Sequence, residues 1–247
     1  MNQPRLSVSR SHAGSQTRAP LRVPNGTALA CTLALEAEAQ QAGYRTIAGI
    51  DEVGRGALCG PVLAAAVVLA EAADVDGVND SKQLTAKRRE LLSERIRRTS
   101  RAWAVGSADA REVDLLGIVA ATHEAMRRAV AGLGLSPDLL LVDGFAVAGL
   151  PLPQWPIIKG DARSCSIAAA SIVAKVSRDA LMRDLDATYP GYGLARNKGY
   201  GSQLHRDALG RLGLSPIHRR SFCRQLPLFA AERAPRDACP PPKDELR

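Results

Sequence analysis

Four acidic side chains end or closely follow apolar, strand-like segments of this 247-residue sequence. They are Asp51 and Glu52 after 47–50, Asp143 after 139–142, and Asp161 shortly after 156–159. A carboxylate is costly to bury unless a cation meets it, and oxygen ligands on neighbouring strands suit Mg²⁺ or Mn²⁺ better than zinc. Two such ions about 4 Å apart can activate a water molecule and stabilise the leaving oxygen in phosphodiester hydrolysis. The four acids therefore predict a catalytic metal site.

Each of these acids also has a structural alternative, which the spacing alone leaves open. Asp143 precedes a glycine and could cap the next loop. Asp161 lies shortly before a long helix, where it could cap the helix or interact favourably with its dipole. Asp179 lies well inside that helix, and we expect it to pair with Arg178, Arg183 or another surface cation.

A glycine-rich turn follows the first two acids in the segment 49–56, which reads GIDEVGRG. Side chains alternate across a strand, so Asp51 and Glu52 can converge only where the strand ends or twists. Gly54 and Gly56 permit such a twist, and they allow backbone N–H groups to approach a phosphate. A dinucleotide-binding fingerprint is the alternative. It is disfavoured because the glycines give GxGxxxG, one residue too long, and no helical pattern follows.

The net charge of +8 lies outside the segment that carries the acids. Residues 1–46 have five arginines and two acids, and residues 183–224 have eight basic and three acidic side chains, whereas 47–182 and 225–247 are each neutral. A local basic excess is what binding to a phosphate backbone needs. A basic surface that serves only solubility is the alternative.

Hydrophobic periodicity predicts an α/β fold with a mixed central sheet flanked by helices. The expected strands are 46–53, 62–69, 101–108, 138–143 and 156–159, and the expected helices are 28–41, 86–98, 113–131, 166–185 and 203–211. We expect residues 1–28 to be a disordered basic leader and residues 29–225 to be the catalytic domain, with a basic helical extension at 183–225. Residues 226–247 contain five prolines and are expected to form a flexible tail.

Cysteine usage and hydropathy suggest a reduced cytoplasmic protein. No run approaches 18 apolar residues, and the first 20 residues have no apolar signal core. The five cysteines are odd in number and scattered, with no Cys/His cluster in the sequence, so neither a disulfide framework nor a zinc site is predicted. A monomer is the default expectation.

A series of short motifs between Ile47 and Phe222 resembles bacterial ribonuclease HII. The motifs are GIDEVGRG at 49–56, NDSKQL at 79–84, VDG at 142–144, KGD at 159–161, SIAAASIVAKVSRD at 166–179, NKGYG at 197–201 and HRRSF at 218–222. They occur in the family's order. The combination is specific, although no single motif would be, and Ala57 departs from it where the family usually has proline.

The resemblance implies an RNase H-like sheet with a helical C-terminal extension. It also implies an endonuclease that cuts the RNA-containing strand of RNA–DNA hybrids, including on the 5′ side of single ribonucleotides embedded in duplex DNA, and leaves 3′-hydroxyl and 5′-phosphate ends. The implied cofactor is Mn²⁺ or Mg²⁺, with the catalytic residues Asp51, Glu52, Asp143 and Asp161 as its ligands. The implied substrate-binding residues are Gly54, Arg55 and Gly56 at the backbone and the ribose 2′-hydroxyl, Tyr200 at the sugar next to the cut, and Lys82 and Lys175 at phosphates.

Some of these residues have ordinary structural alternatives. As isolated residues, Lys82 and Lys175 are more typical of solvated surface charges, and Tyr200 is more typical of an aromatic packed in a turn. His205 and His218 are expected to be surface or capping histidines.

Two other functions remain open at this level. One is another two-metal nuclease or resolvase on the same fold, which the GRG turn and Tyr200 disfavour. The other is a catalytically inactive nucleic-acid-binding module, which the retained acids disfavour. The sequence does not identify the physiological metal or a replication-clamp partner.

Overall fold

Five strands form one mixed sheet in the computed structural model, which describes residues 31–70, 75–78, 81 and 84–227. The strands are β1 (Ile47–Val53), β2 (Val62–Val68), β3 (Ala102–Ala108), β4 (Leu139–Asp143) and β5 (Gln154–Ile157), in the order β3-β2-β1-β4-β5. β1, β2 and β3 are antiparallel neighbours, whereas β4 is parallel to β1 and β5 is parallel to β4. The carboxyl ends of β1, β4 and β5 therefore meet at one edge of the sheet.

The described residues also form eight α-helices and a 3₁₀ turn, Gly160–Ala162. The helices are α1 (Ala34–Gln41), α2 (Ala86–Thr99), α3 (Ala110–Leu116), α4 (Ile118–Ala131), α5 (Cys165–Thr188), α6 (Leu194–Asn197), α7 (Gln203–Leu212) and α8 (Arg220–Cys223). A mixed sheet flanked by helices, with a helical C-terminal extension, confirms the predicted fold class.

The two faces of the sheet are covered by different helices because side chains alternate along each strand. Ala48 and Ile50 of β1 pack with α4 in one apolar core. On the other face, the alanine-rich side of α5 packs with α2 and β2 in a second core. Gly49 allows α5 to approach β1 closely, since a Cβ there would lie 2.1 Å from the carbonyl carbon of Ser166.

The start of α5 is also tied to the first helix. The Glu36 carboxylate accepts hydrogen bonds from the Ser164 hydroxyl at 2.6 Å and from the Ser166 N–H at 2.8 Å. Beside them, the Cys31 and Cys165 sulfurs are 3.6 Å apart as free thiols. These contacts fix the end of α5 that follows Asp161.

Helices α6 to α8 pack against the far end of α5 and the loop after β1. Their shared core contains Leu58, Cys59, Met182, Tyr192, Leu194 and Leu209. The predicted basic segment 183–225 is therefore held on the same body that carries the acids.

Several boundaries differ from the sequence prediction. The expected helix 113–131 is two helices, because Gly117 adopts φ +78° and separates α3 from α4. α3 begins early, at a capping box formed by Asp109 and Glu112. The expected strand at 156–159 is present, but it begins and ends two residues earlier than predicted. β5 is Gln154–Ile157, paired so that Ile157 lies opposite Asp143, and Lys159 turns the chain with φ +56°.

The predicted first helix begins at Ala34 rather than near residue 28, and residues 28–30 lie outside the described part of the chain. The expected leader, 1–28, and most of the expected tail, 228–247, also lie outside it. None of the helices in the described ranges is long and apolar enough to cross a membrane.

Candidate active site

Asp51 and Asp143 lie side by side at the carboxyl end of the sheet, because the residues before them, Ile50 and Val142, pair in the parallel β1–β4 ladder. Asp51 is only 5% exposed and interacts with Ser171 of α5. Glu52, the next residue, projects from the opposite face of β1. Both acids and Asp143 nevertheless line one cavity of about 460 Å³. The predicted convergence at the strand end is therefore present.

Asp143 and Asp161 are linked through the 3₁₀ turn that follows β5. The Gly160 N–H donates a 2.6 Å hydrogen bond to Asp143 Oδ1, which fixes that carboxylate. Asp161, the next residue, is 5% exposed. It is not on the wall of the cavity, but it lies close enough for its charge to act on Asp51.

Like charges crowd this end of the sheet. Burial raises the pKa of Asp51 well above its ordinary value, and the negative charges of Asp143, Glu52 and Asp161 raise it further, while a hydrogen bond from Ser171 lowers it. Carboxylate oxygens on one cavity wall are the ligand type that a hard divalent cation such as Mg²⁺ or Mn²⁺ prefers, and such a cation would offset the repulsion.

The GRG turn lies directly beside the acids, and its two glycines have different reasons to be glycine. Gly54 has φ +88°, and a Cβ there would lie 2.2 Å from Nε of Arg178. Gly56 has no positive φ, and a Cβ there would meet nothing within 4 Å. The fold therefore requires glycine at 54, whereas at 56 it leaves an open approach to the cavity.

Two fully buried arginines hold this turn from below, and sequence reasoning missed their role. Arg178 of α5 donates to the carbonyls of Pro61, Cys59 and Lys198 at 3.1, 3.3 and 2.9 Å. Arg219 donates to the carbonyls of Gly60 and Arg55 at 3.0 and 2.8 Å. Burial lowers the pKa of both guanidiniums, with that of Arg219 falling to about 10. Among the described residues neither guanidinium forms an ion pair, so both positive charges remain beside the turn.

Tyr200 closes the cavity from the C-terminal extension. Tyr200 is 38% exposed and lines the cavity, and the centroid of its ring lies 5.5 Å from the guanidinium carbon of Arg178. Gly199 places it there with φ +80°, where a Cβ would lie 2.6 Å from the Cys59 carbonyl oxygen. Arg178 thus contacts both the GRG turn and the Tyr200 loop.

The expectation that His205 and His218 are surface or capping residues is wrong, because both are buried. With Cys59 they form a group whose potential ligand atoms lie within 4.8 Å of one another, although they are distant in sequence. The Ser215 N–H donates to His218 Nδ1 at 3.0 Å. The proton of His218 is therefore on Nε2, from which it bonds His205 Nε2 at 3.1 Å.

The chain of hydrogen bonds that begins at His218 extends through His205 to Tyr200 at the cavity. His205 Nδ1–H donates to the Tyr200 carbonyl at 3.0 Å. A metal ligand needs an unprotonated nitrogen, so the geometry of His218 favours a hydrogen-bonded chain over a metal centre. Burial lowers the pKa of both rings, that of His218 to about 4, so they are neutral at pH 7. The chain fixes the backbone of Tyr200.

Of the remaining predicted substrate-binding residues, two line the cavity and one lies outside the described part of the chain. Arg55 is half exposed, lines the cavity and forms a 3.0 Å ion pair with Glu52. Lys175 also lines the cavity, and it donates to Asp179 at 2.7 Å. Asp179 therefore pairs with a cation as expected, but with Lys175 rather than with a neighbouring arginine. Lys82 lies outside the described residues.

Comparison with known proteins gives one consistent result. A family model described as Ribonuclease HII matches residues 48–225. The chain is 56% identical over 180 residues to the ribonuclease HII of Desulfitobacterium hafniense strain Y51, which covers 73% of this chain and 69% of that protein.

Two solved structures share the fold. The crystal structure of the ribonuclease H2 from Pyrococcus horikoshii aligns with a TM-score of 0.63 at 27% identity and covers 77% of this chain and all of that one. Bst-RNase HIII, solved in complex with Mn²⁺, aligns with a TM-score of 0.62 at 21% identity over 79% of this chain and 72% of that one, a likeness that concerns the fold alone.

The different surroundings of the two glycines predict different effects on stability. Gly54→Ala forces a side chain into left-handed backbone and against Arg178, so we expect it to lower the free energy of unfolding by about 3 kcal/mol. Gly56→Ala meets open space and should change it by less than about 0.5 kcal/mol. Urea unfolding followed by circular dichroism measures both. Equal losses would show that the turn is packed differently.

Proposed function

Because this chain belongs to the ribonuclease HII family and is a ribonuclease H enzyme, we propose that it cuts the RNA strand of RNA–DNA hybrids and also cuts duplex DNA on the 5′ side of a single embedded ribonucleotide. One observation carries this proposal. A single cavity joins the acids Asp51, Glu52 and Asp143 to the Gly54–Gly56 turn and to Tyr200. Groups suited to phosphodiester hydrolysis and groups suited to ribose recognition thus share one wall.

Divalent metal is the cofactor of ribonuclease H enzymes, and we propose that a pair of Mn²⁺ or Mg²⁺ ions is held here by Asp51, Glu52 and Asp143 on the cavity wall, with Asp161 behind them. When bound, the ions lower the pKa of a water molecule and stabilise negative charge on the leaving oxygen. The Gly160 N–H keeps the Asp143 carboxylate in place for this role. Asp161 would act from behind the wall, where its charge adds to the attraction for a cation.

The GRG turn is proposed to recognise the ribose 2′-hydroxyl. Arg178 and Arg219 engage the carbonyls of Arg55, Cys59, Gly60 and Pro61, so the shape of the turn is fixed before substrate arrives. The open side of Gly56 leaves room for the backbone to approach a sugar closely. The 2′-hydroxyl is the group that distinguishes RNA from DNA at such a site.

The electrostatics suit a phosphate backbone that crosses from one side of the cavity to the other. The carboxylates form a negative centre that attracts metal, and the two buried guanidiniums under the turn add positive charge beside it. Lys175 on the cavity wall supplies a further cation, positioned by Asp179. Tyr200 would pack its exposed ring surface on the sugar next to the cut, with the histidine chain holding its backbone.

The direct test uses duplex DNA with one embedded ribonucleotide beside the same duplex without it, in Mn²⁺ or Mg²⁺. We expect a cut on the 5′ side of the ribonucleotide, with a 3′-hydroxyl on the upstream product, abolished by chelator and nearly abolished in Asp51→Ala. The all-DNA duplex should stay intact. Equal cleavage of both duplexes would contradict ribose recognition, and binding without cleavage would contradict the catalytic role of the acids. Gly56→Ala, which we expect to leave the fold unchanged, should reduce the rate of cutting at the ribonucleotide.

The fourth acid is tested by comparing two aspartates at different distances from the metal site. We expect Asp161→Ala to lower kcat/KM by about 10- to 100-fold, since it removes a charge that helps to hold the cation. Asp179→Ala should stay within about threefold of the wild type, because it removes only the partner of Lys175. Steady-state cleavage of an RNA–DNA hybrid measures both. A larger loss of kcat/KM in Asp179→Ala than in Asp161→Ala would show that Asp161 is not the acid that supports the metal site.

A further inference from the structure

A second groove of about 390 Å³ adjoins the catalytic cavity on its α4 side. Glu52, Arg55 and Asp143 line both spaces, so the two are continuous across the acids. The rest of the second wall is largely apolar and comes from α4 and from the loop after β4: Val119, Thr122, His123, Met126, Gly144, Phe145 and Ala146. Gly144 belongs to the VDG motif at 142–144, but none of the seven residues was predicted to bind substrate.

Phe145 is held in an exposed position at this groove by an ordered turn. Phe145 is 69% exposed, and it follows Gly144, which has φ +75°. The Gly144 N–H donates to the Ile157 carbonyl at 2.9 Å, and the Phe145 N–H donates to the Asp143 carbonyl at 3.1 Å. An exposed apolar residue carries little meaning alone, but this one is fixed two positions after a candidate metal ligand.

The loop behind Phe145 is braced as well. The Gln154 side chain bonds the Val147 N–H at 2.7 Å and the Val147 carbonyl at 3.0 Å. Arg127 of α4 donates to the Ala148 carbonyl at 2.6 Å. The turn is thus pre-formed on both sides, so a ligand that contacts Phe145 would pay little entropy to order it.

The position of the acids between the two spaces indicates what the second groove holds. A polynucleotide that is cut internally continues on both sides of the scissile phosphate. The Gly54–Gly56 turn and Tyr200 occupy one side, where the ribose is recognised. The strand on the other side of the cut must leave past Glu52 and Asp143, and the groove lined by Phe145 begins there.

The chemistry of the groove favours a sugar over a phosphate. Arg55 is the cation on its wall, and its guanidinium is already paired with Glu52 at 3.0 Å. The apolar side chains of Val119, Met126 and Phe145 provide van der Waals contact with carbon rather than with charged oxygen. A deoxyribose ring fits this lining.

We propose that this groove binds the nucleotide on the 5′ side of the cut and that Phe145 packs against its sugar, an inference that rests on the proposed function. Phe145 is then a substrate-binding residue on the side of the cut opposite Tyr200. It contacts the nucleotide that keeps the 3′-hydroxyl after cleavage.

The test combines a protein variant that has a smaller side chain at 145 with substrates that carry a bulkier sugar. Duplexes carry one embedded ribonucleotide, and the nucleotide 5′ of it is either a deoxynucleotide or a 2′-O-methyl nucleotide. A third duplex carries the 2′-O-methyl group on the nucleotide 3′ of the ribonucleotide. Wild type, Phe145→Ala and Leu115→Ala are compared by kcat/KM, and Leu115, an 81% exposed leucine of α3 that lines neither space, provides the matched control.

On the unmodified duplex we expect Phe145→Ala to lower kcat/KM about tenfold, because it loses an aromatic contact, and Leu115→Ala to stay within about twofold. The 5′-side methyl group should slow the wild type at least about tenfold, since it collides with the ring. It should slow Phe145→Ala by less than about twofold. The 3′-side methyl group should affect the wild type and Phe145→Ala equally.

Two results would overturn the proposal while leaving the proposed function intact. One is cleavage of the unmodified duplex by Phe145→Ala within twofold of the wild type. The other is the same response of Phe145→Ala and wild type to the 5′-side methyl group. If the wild type fails to cut at the ribonucleotide at all, the proposed function itself fails and this inference fails with it. Unfolding midpoints of the two exposed-site variants confirm that each is folded.

Discussion

Repulsion among carboxylates at the end of β1 and β4 is the constraint on which the rest of the site depends. The parallel ladder places Asp51 beside Asp143, and the 3₁₀ turn adds Asp161 behind them. Burial and these charges raise the pKa of Asp51. Because that pKa is raised above its unfolded value, the protonated acid is favoured in the fold. Without a cation, stability is therefore lost as pH rises above the ordinary Asp value of 3.8. Packing elsewhere in the fold must offset this repulsion, and the close packing of α5 against Gly49 contributes to it.

A second set of charges balances the first. Arg178 and Arg219 are fully buried, and both donate to backbone carbonyls around the GRG turn and the Tyr200 loop. Removing either would leave several carbonyls without a donor, which is costly in a buried setting. These arginines join the loop after β1 to the C-terminal extension, so the extension helps to build the wall of the proposed substrate-binding cavity. A negative centre beside a positive turn would complement the proposed metal ion and a substrate phosphate bound to it.

The sequence predicts four of the five strands to within one residue at each end, because their apolar runs have a clear period, and it places Asp51 and Asp143 where β1 and β4 end. It predicts the partner of Asp179 only as a class, since Lys175 and Arg183 are both one helical turn away. It does not predict the roles of Arg178, Arg219, His205 and His218, because their partners are carbonyls or rings in distant segments that no local pattern reveals. The break at Gly117 was missed because the apolar period continues across it. No sequence pattern marks Phe145 as a substrate-binding residue, since only the fold places it beside the acids.

The most direct test of the account is the stability of Asp51→Asn relative to the wild type, with and without Mn²⁺, by urea unfolding at pH 7.5. Asn keeps the shape of the side chain but removes one of the repelling charges. Without metal, we expect Asp51→Asn to be more stable than the wild type, and we expect Mn²⁺ to stabilise the wild type strongly and the variant weakly. Asp179→Asn, outside the cluster, should respond to Mn²⁺ as the wild type does. A metal-free Asp51→Asn that is less stable than the wild type, together with equal stabilisation of both by Mn²⁺, would contradict the claim that these carboxylates form a cation site held against its own repulsion.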